Sequence, residues 1–258
     1  MTDITDKTAE AVSTTPRQGA EWQRQRSVDL TGTLVAYVSA VVLIAAAVWF
    51  ALVNRQVTVP SAPTIKPGEP DVVWFRRYYD WWPSTVGQER GYTILAVVGL
   101  LGLAWIASVL RPRLGTSASH VGLASAAVSA GAFLWAVAGV LLIGGHHAAS
   151  DLATHSNPID PVNSILYTVD LTHNAFQIAA YTLIGFGMLA LGLSTVRTHR
   201  LVRWAWMTSL LGVSTLVLAY ANIAENGDLN DKAVTVVGAL LLPTWLVWSG
   251  RILAVGQN

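Results

Sequence analysis

The chain has 258 residues, of which 53% are hydrophobic and only 12% are charged. Soluble domains carry about 25% charged residues, so this composition indicates a membrane protein. A net charge of +1 gives no basis for nucleic-acid binding, and the lack of cysteine excludes disulfides, thiolate metal sites, iron–sulfur clusters and a cysteine nucleophile.

The N-terminal segment 1–30 is predicted to be a disordered cytoplasmic tail, followed by a single membrane domain over 31–258. The tail begins MTDITDKTAEAVSTTPRQGAEWQRQ, which is polar throughout. It lacks the apolar core that a signal peptide requires, and it has too little apolar surface to fold alone.

Six apolar runs follow, each close to the 20 or so residues that cross a bilayer as a helix. Lipid satisfies no backbone hydrogen bonds, so these runs predict helices. They cover 31–53, 91–110, 121–144, 175–196, 202–223 and 233–254. We therefore expect an all-α, polytopic bundle of about six transmembrane helices in the lipid bilayer of the plasma or inner membrane.

The flanking charges predict that both termini face the cytoplasm. Basic residues gather in the tail, in the second and fourth connections and near the C-terminus, as the positive-inside rule requires of cytoplasmic segments. The loop 54–90 also carries basic residues, but the other five flanks agree. The long loops 54–90 and 145–174 are then both on the outer face.

The loop 145–174 contains a possible metal-ligand set. Asp151 and His155 are four residues apart, which places both on one face of a helical turn. His173 stands just before the fourth apolar run, and the ends of a connection between antiparallel neighbours are close. Two imidazoles and one carboxylate with open positions suit copper, iron or zinc.

An ordinary solvated loop is the competing interpretation of the same residues. Asp170 then serves as a cap for a helix that begins near Leu171. His146 and His147 are bystanders at the interfacial end of the third helix in either interpretation.

A second polar cluster, ANIAENGDLNDKA, lies between the fifth and sixth runs. Asn222 still belongs to the apolar run, where an amide is costly without a partner, so it should face the bundle interior. A short polar hairpin that turns at Gly227 and Asp228 is the alternative.

These elements together resemble the C subunit of the copper membrane monooxygenases. D-L-A-T-H at Asp151–His155 is similar to the family's D-x-x-x-H metal motif, and His173 is similar to its second histidine. W-F-R-R-Y at Trp74–Tyr78 is similar to a W-x-R-x-Y element, and N-I-A-E-N at Asn222–Asn226 to an N-x-x-x-N element. Pro243 falls near a proline of the family's last helix.

The resemblance implies a copper site held by Asp151, His155 and His173, ligands that zinc also accepts. No catalytic residue is assigned. Four further side chains are candidates for an outer shell of hydrogen bonds or a second metal position: Asn226, Asn222, Asn230 and Asp170.

Two departures mark a divergent member of that family. Seventeen residues separate His155 from His173, more than is usual, and SNPIDP looks like an insertion. Asn230 stands where the family has a histidine, which weakens the case for a second copper.

The function implied is that of a membrane subunit of a copper-dependent monooxygenase. It would oxidise a short-chain hydrocarbon, methane or ammonia with dioxygen, together with A and B subunits in a trimer of heterotrimers. Two alternatives stay open: a non-catalytic membrane scaffold or assembly protein, and a haem-binding electron carrier that uses His146 or His147 with His173.

Overall fold

Each apolar run forms a helix or part of a longer helix. The computed structural model describes residues 16–54, 63–64, 73, 77, 81, 83–114, 119–155, 159–196, 201–224 and 227–255. The first five spans are α1 (Pro16–Asn54), α2 (Pro83–Leu110), α3 (Ser119–His155), α4 (Ile159–Val196) and α5 (Val202–Ile223). The sixth is composite and consists of α6 (Gly227–Val236), a π-helical turn (Val237–Leu241) and α7 (Leu242–Val255).

All six predicted membrane helices are confirmed. The stretches long and apolar enough to cross a membrane are Arg26–Val53, Thr85–Leu114, His120–Ala149, Ser164–Val196, Val202–Ile223 and Lys232–Val255. Large apolar side chains stay exposed along them, for example Leu34 at 65% and Leu123 at 72%. Such surface is costly in water but is well placed against lipid chains. The chain is therefore an all-α, multi-pass membrane protein.

Several predicted boundaries differ from the observed helix ends. α1 begins inside the segment 1–30 predicted as a disordered tail, α2 begins inside the predicted loop 54–90, and α3 and α4 occupy most of the predicted loop 145–174. Hydropathy marks only the apolar part of a helix, and the polar turns that continue it at either end carry no apolar signal. Pro16 and Pro83 stand at first helical positions, where proline is tolerated. Residues 1–15 lie outside the described part of the chain.

Helices that follow one another in the chain pack side by side, and α7 packs against α1 to close the bundle. The hydroxyl of Thr33 on α1 donates to the carbonyl of Gly250 on α7 at 3.3 Å. All six spans thus surround one interior, which is where the candidate site lies.

Two buried tryptophans join α5 to α7. The indole Nε1 of Trp204 donates to Ser249 Oγ at 3.1 Å, and that of Trp245 donates to Thr208 Oγ1 at 2.9 Å. The two rings lie 5.9 Å apart and tilted by 35°. Each buried indole N–H therefore has an acceptor, as burial of this side chain requires.

The two ends of the bundle differ chemically. At one end, here called the arginine end, Arg113 follows α2 and forms a two-point ion pair with the buried carboxylate of Asp29 on α1, with Nε 3.3 Å from Oδ1. The opposite end, here called the histidine end, holds His146 and His147 of α3. That the histidine end faces outward, with both termini inside, stays a prediction.

Candidate functional site

A cavity of about 370 Å³ lies inside the bundle toward its histidine end. This volume falls within the range of about 300–1,000 Å³ that is usual for small-molecule pockets. All six spans contribute to its wall. Its apolar lining includes Leu43 and Phe50 of α1, Leu100 of α2, and Trp135 of α3.

The polar side chains of the cavity are all uncharged in their ordinary states. They are Tyr92, Thr93, His173, Asn174, Gln177, Tyr181 and Asn222. Among the described residues that line the cavity, none is Asp, Glu, Lys or Arg. A charged ligand would lose its hydration there without a counter-charge, so the lining favours a neutral, largely apolar molecule with a hydrogen-bonding group.

His173 is held in one orientation by the neighbouring helix. Its Nδ1 lies 3.0 Å from the carbonyl oxygen of Ala138 on α3. A carbonyl oxygen only accepts hydrogen bonds, so Nδ1 carries the proton, and Nε2 of the neutral ring has a lone pair. The side chain is thus prepared to accept a hydrogen bond from a ligand or to coordinate a metal through Nε2.

The π-helical turn of the sixth span forms part of the cavity wall. The N–H of Leu242 bonds to the carbonyl of Val237, and Gly238 within this turn lines the cavity. Pro243 follows directly, and its missing N–H disfavours a regular α-helix there. Such single π turns recur at functional sites, because they displace the wall locally.

A cluster of charged groups lies next to the cavity at the histidine end. Nδ1 of His146 is 3.0 Å from Glu89 Oε2 on α2, and Nε2 of His146 is 3.4 Å from Asp170 Oδ1 on α4. We call these three residues the carboxylate–imidazole cluster. His146 was predicted to be a bystander, but it connects three helices.

Asp170 also differs from its predicted role. It lies well inside α4, which begins at Ile159, and therefore does not cap a helix near Leu171. His173 is likewise an interior residue of α4 rather than the residue before a helix. The predicted helix start near Leu171 fails because the polar turns before it are helical too.

The predicted ligand positions Asp151 and His155 are near the end of α3, and their side chains lie outside the described residues. His173 contacts Ala138, which precedes Asp151 by thirteen residues on the same helix. At about 1.5 Å per residue, Asp151 lies roughly 20 Å and His155 roughly 25 Å further along α3. The structure does not bring these two helix positions to the level of His173.

The asparagine cluster is only partly described. Asn222 lines the cavity and donates from Nδ2 to the carbonyl of Leu218 at 3.1 Å. Asn230 belongs to α6, but its side chain is not described, and Asn226 lies outside the described residues. The same is true of Trp74, Arg76 and Tyr78 of the W-x-R-x-Y element.

The cavity offers one side-chain donor that is typical of copper sites, the imidazole of His173. His173 offers one imidazole nitrogen, and the other donors there are amides and hydroxyls. Among the described side chains, no three His, Cys, Asp or Glu residues converge as a metal-ligand set. The side chains of Asp151 and His155 lie outside the described residues, so the two-histidine, one-carboxylate set stays a prediction.

Comparison with known proteins adds no assignment. No family model, no curated protein and no solved structure matches this chain.

Proposed function

We propose that the chain is the membrane subunit of a copper-dependent monooxygenase and that its cavity holds the small substrate beside His173. The observation that carries the proposal is the bundle of six spans around an uncharged cavity with one oriented imidazole. A short-chain hydrocarbon suits the apolar wall and volume better than the more polar ammonia does.

The chain's own residues have defined tasks in this proposal. Leu43, Phe50 and Trp135 exclude bulk water and hold an apolar substrate by contact, and the ring of Trp135 is fixed edge-on against Tyr181 at 4.7 Å. Nε2 of His173 accepts a hydrogen bond from a polar group of the ligand and so positions it. Copper, when bound, supplies the activation of dioxygen that no side chain in the cavity can provide.

The copper component rests on the sequence elements around Asp151, His155, His173, Asn222 and Trp74. Zinc is accepted by the same kinds of ligand. The resemblance also supports two partner subunits, A and B, in a trimer of heterotrimers, so we expect the isolated chain to be inactive. The substrate-oxidising unit is then the complex.

Metal analysis of the purified protein tests the proposal. We expect about one copper per chain in the wild type and loss of most of it in His173→Ala. The matched control is His120→Ala, because His120 is an exposed histidine of α3, near the arginine end of the bundle. Wild-type protein without copper, or equal copper in wild type and His173→Ala, contradicts the proposal.

Two further variants separate the ligand positions. Asp151→Ala and His155→Ala should lower copper content as far as His173→Ala does if the three act together. If only His173→Ala lowers it, copper is held within the cavity without the end of α3, as the helix positions suggest.

A non-catalytic scaffold is the second candidate, and the separation of Asp151 from His173 along α3 favours it. It predicts unchanged metal content in all three variants.

The haem alternative receives no such support. Both ring nitrogens of His146 face carboxylates and are not open to an iron, and Nδ1 of His147 contacts Arg90.

A further inference from the structure

A second, much smaller space lies between α2 and α3, beside the carboxylate–imidazole cluster. Its α2 wall is formed by Val86, Glu89, Arg90 and Thr93, and its α3 wall by Leu142, Ile143 and His146. We call it the vestibule. Its volume is about 10 Å³. A site of this size holds about one water molecule.

The vestibule has the polar partners that a bound water needs. A buried water makes about three hydrogen bonds, and a dry void is expected only where the wall is apolar. Most of the lining surface is apolar, but four of the seven lining residues carry polar side chains, namely Glu89, Arg90, Thr93 and His146. Among these, the side chains of Glu89 and His146 are only 25% and 17% exposed, so the site is largely shielded from bulk solvent.

The vestibule and the main cavity share a wall. Thr93 and Leu142 line both spaces. Each lies four residues from a member of the cluster, Thr93 from Glu89 on α2 and Leu142 from His146 on α3, and therefore one helical turn deeper on the same face. Thr93 and Leu142 thus border both spaces.

The cluster links this vestibule to the protein surface. Asp170 is 56% exposed, and from it the hydrogen-bonded contacts pass through His146 to Glu89 at 3.4 Å and 3.0 Å. Arg90 and His147 contact each other beside it, so both signs of charge surround the path. These contacts fix α2, α3 and α4 around the vestibule.

We propose that the vestibule is a water site through which water and protons pass between the surface at Asp170 and the main cavity, across the wall of Thr93 and Leu142. The path is one water wide. It admits water and protons and, in transit rather than as a bound ligand, a monovalent cation of similar size such as Ag⁺, and it excludes larger solutes. This route goes beyond the proposed function and stands whether or not the cavity serves a monooxygenase.

The absence of cysteine from the chain provides a direct test. A single cysteine at Ala96, which lines the cavity but not the vestibule, reports on what reaches the cavity. The probe is Ag⁺, whose size is near that of water and which blocks thiols. After exposure of the folded protein, the remaining thiol is counted by maleimide labelling in denaturant. A bulky, membrane-impermeant methanethiosulfonate serves as the size control.

The account predicts that Ag⁺ blocks the thiol of Ala96→Cys and that the bulky reagent does not. Adding Thr93→Val, which keeps the shape but removes the hydroxyl, should slow the Ag⁺ reaction at least tenfold. Glu89→Gln should also slow it, and His120→Gln, on an exposed residue away from the vestibule, should not. Ala132→Cys is a buried control that lines neither space and should not react.

Two results would overturn the route. One is no reaction of Ala96→Cys with Ag⁺ in the folded protein. The other is a reaction whose rate is the same with Thr93 and Glu89 intact or replaced, because the cavity is then reached elsewhere. Copper content decides the proposed function separately, so failure of one leaves the other standing.

Discussion

His146 stands between one carboxylate from each neighbouring helix, and this role could not be predicted from the sequence. Its partners Glu89 and Asp170 are 57 and 24 residues away, so no local spacing connects them. The sequence does place Glu89, His146 and Asp170 near the ends of apolar runs, where an ionisable residue needs a partner. His173 was identified as a candidate ligand because it stands just before the fourth apolar run. Its contact with Ala138 could not be predicted, because it depends on the register of α3 against α4.

The ion pair of Asp29 with Arg113 makes the clearest prediction for a single residue. Asp29 is only 1% exposed, and its carboxylate receives two bonds from the guanidinium. Asp29→Asn removes the charge that Arg113 faces, and we expect a loss of about 2 kcal/mol in the free energy of unfolding. Denaturant unfolding in detergent measures it.

The control for this pair is Arg111→Gln, which changes an exposed arginine in the same 3₁₀ turn, Arg111–Leu114. It should alter stability by less than about 0.5 kcal/mol, as is usual for exposed surface positions. Equal stability of Asp29→Asn and the wild type would contradict the structural role of the pair.

At the scale of helices, composition and hydropathy predict the number, order and type of the spans. They do not predict their ends, because the bilayer selects apolar residues only within its own thickness. The composite sixth span was predicted as one uninterrupted run. Its π turn precedes Pro243, which has no N–H to donate, and the turn packs against α1. Hydrophobic periodicity in the sequence does not indicate such a turn.

The close approach of α3 to α4 depends on glycine, and a matched pair of variants tests it. A Cβ at Gly131 would lie 2.8 Å from the carbonyl oxygen of Ala180 and 3.0 Å from the amide nitrogen of Ile184, so the helices must separate. We expect Gly131→Ala to cost about 1–3 kcal/mol of stability.

Gly144→Ala, on the same helix, is the control. A Cβ there meets nothing within 4 Å, and alanine favours a helix more than glycine does. This variant should be as stable as the wild type or slightly more stable in the same denaturant unfolding. If Gly131→Ala were equally well tolerated, the helices would not be in contact as described.

At the scale of the whole molecule, the cavity exists only because six spans close around it. Its lining combines residues from α1 to Leu242 at the start of α7. Sequence patterns alone show which residues are apolar but not which face one another. The uncharged wall could be anticipated from the composition of the apolar runs. The placement of Asn222 and His173 on the same cavity required the packed structure.

We propose above that the cavity beside His173 binds a small molecule or metal. A cryo-electron microscopy map of the protein purified from its native membrane, with all co-purifying chains retained, tests this most directly. The account predicts density in the cavity within hydrogen-bonding or coordination distance of His173 Nε2, bordered by Trp135 and Asn222. A cavity closed by its own side chains, with His173 Nε2 bonded to the protein, would contradict it.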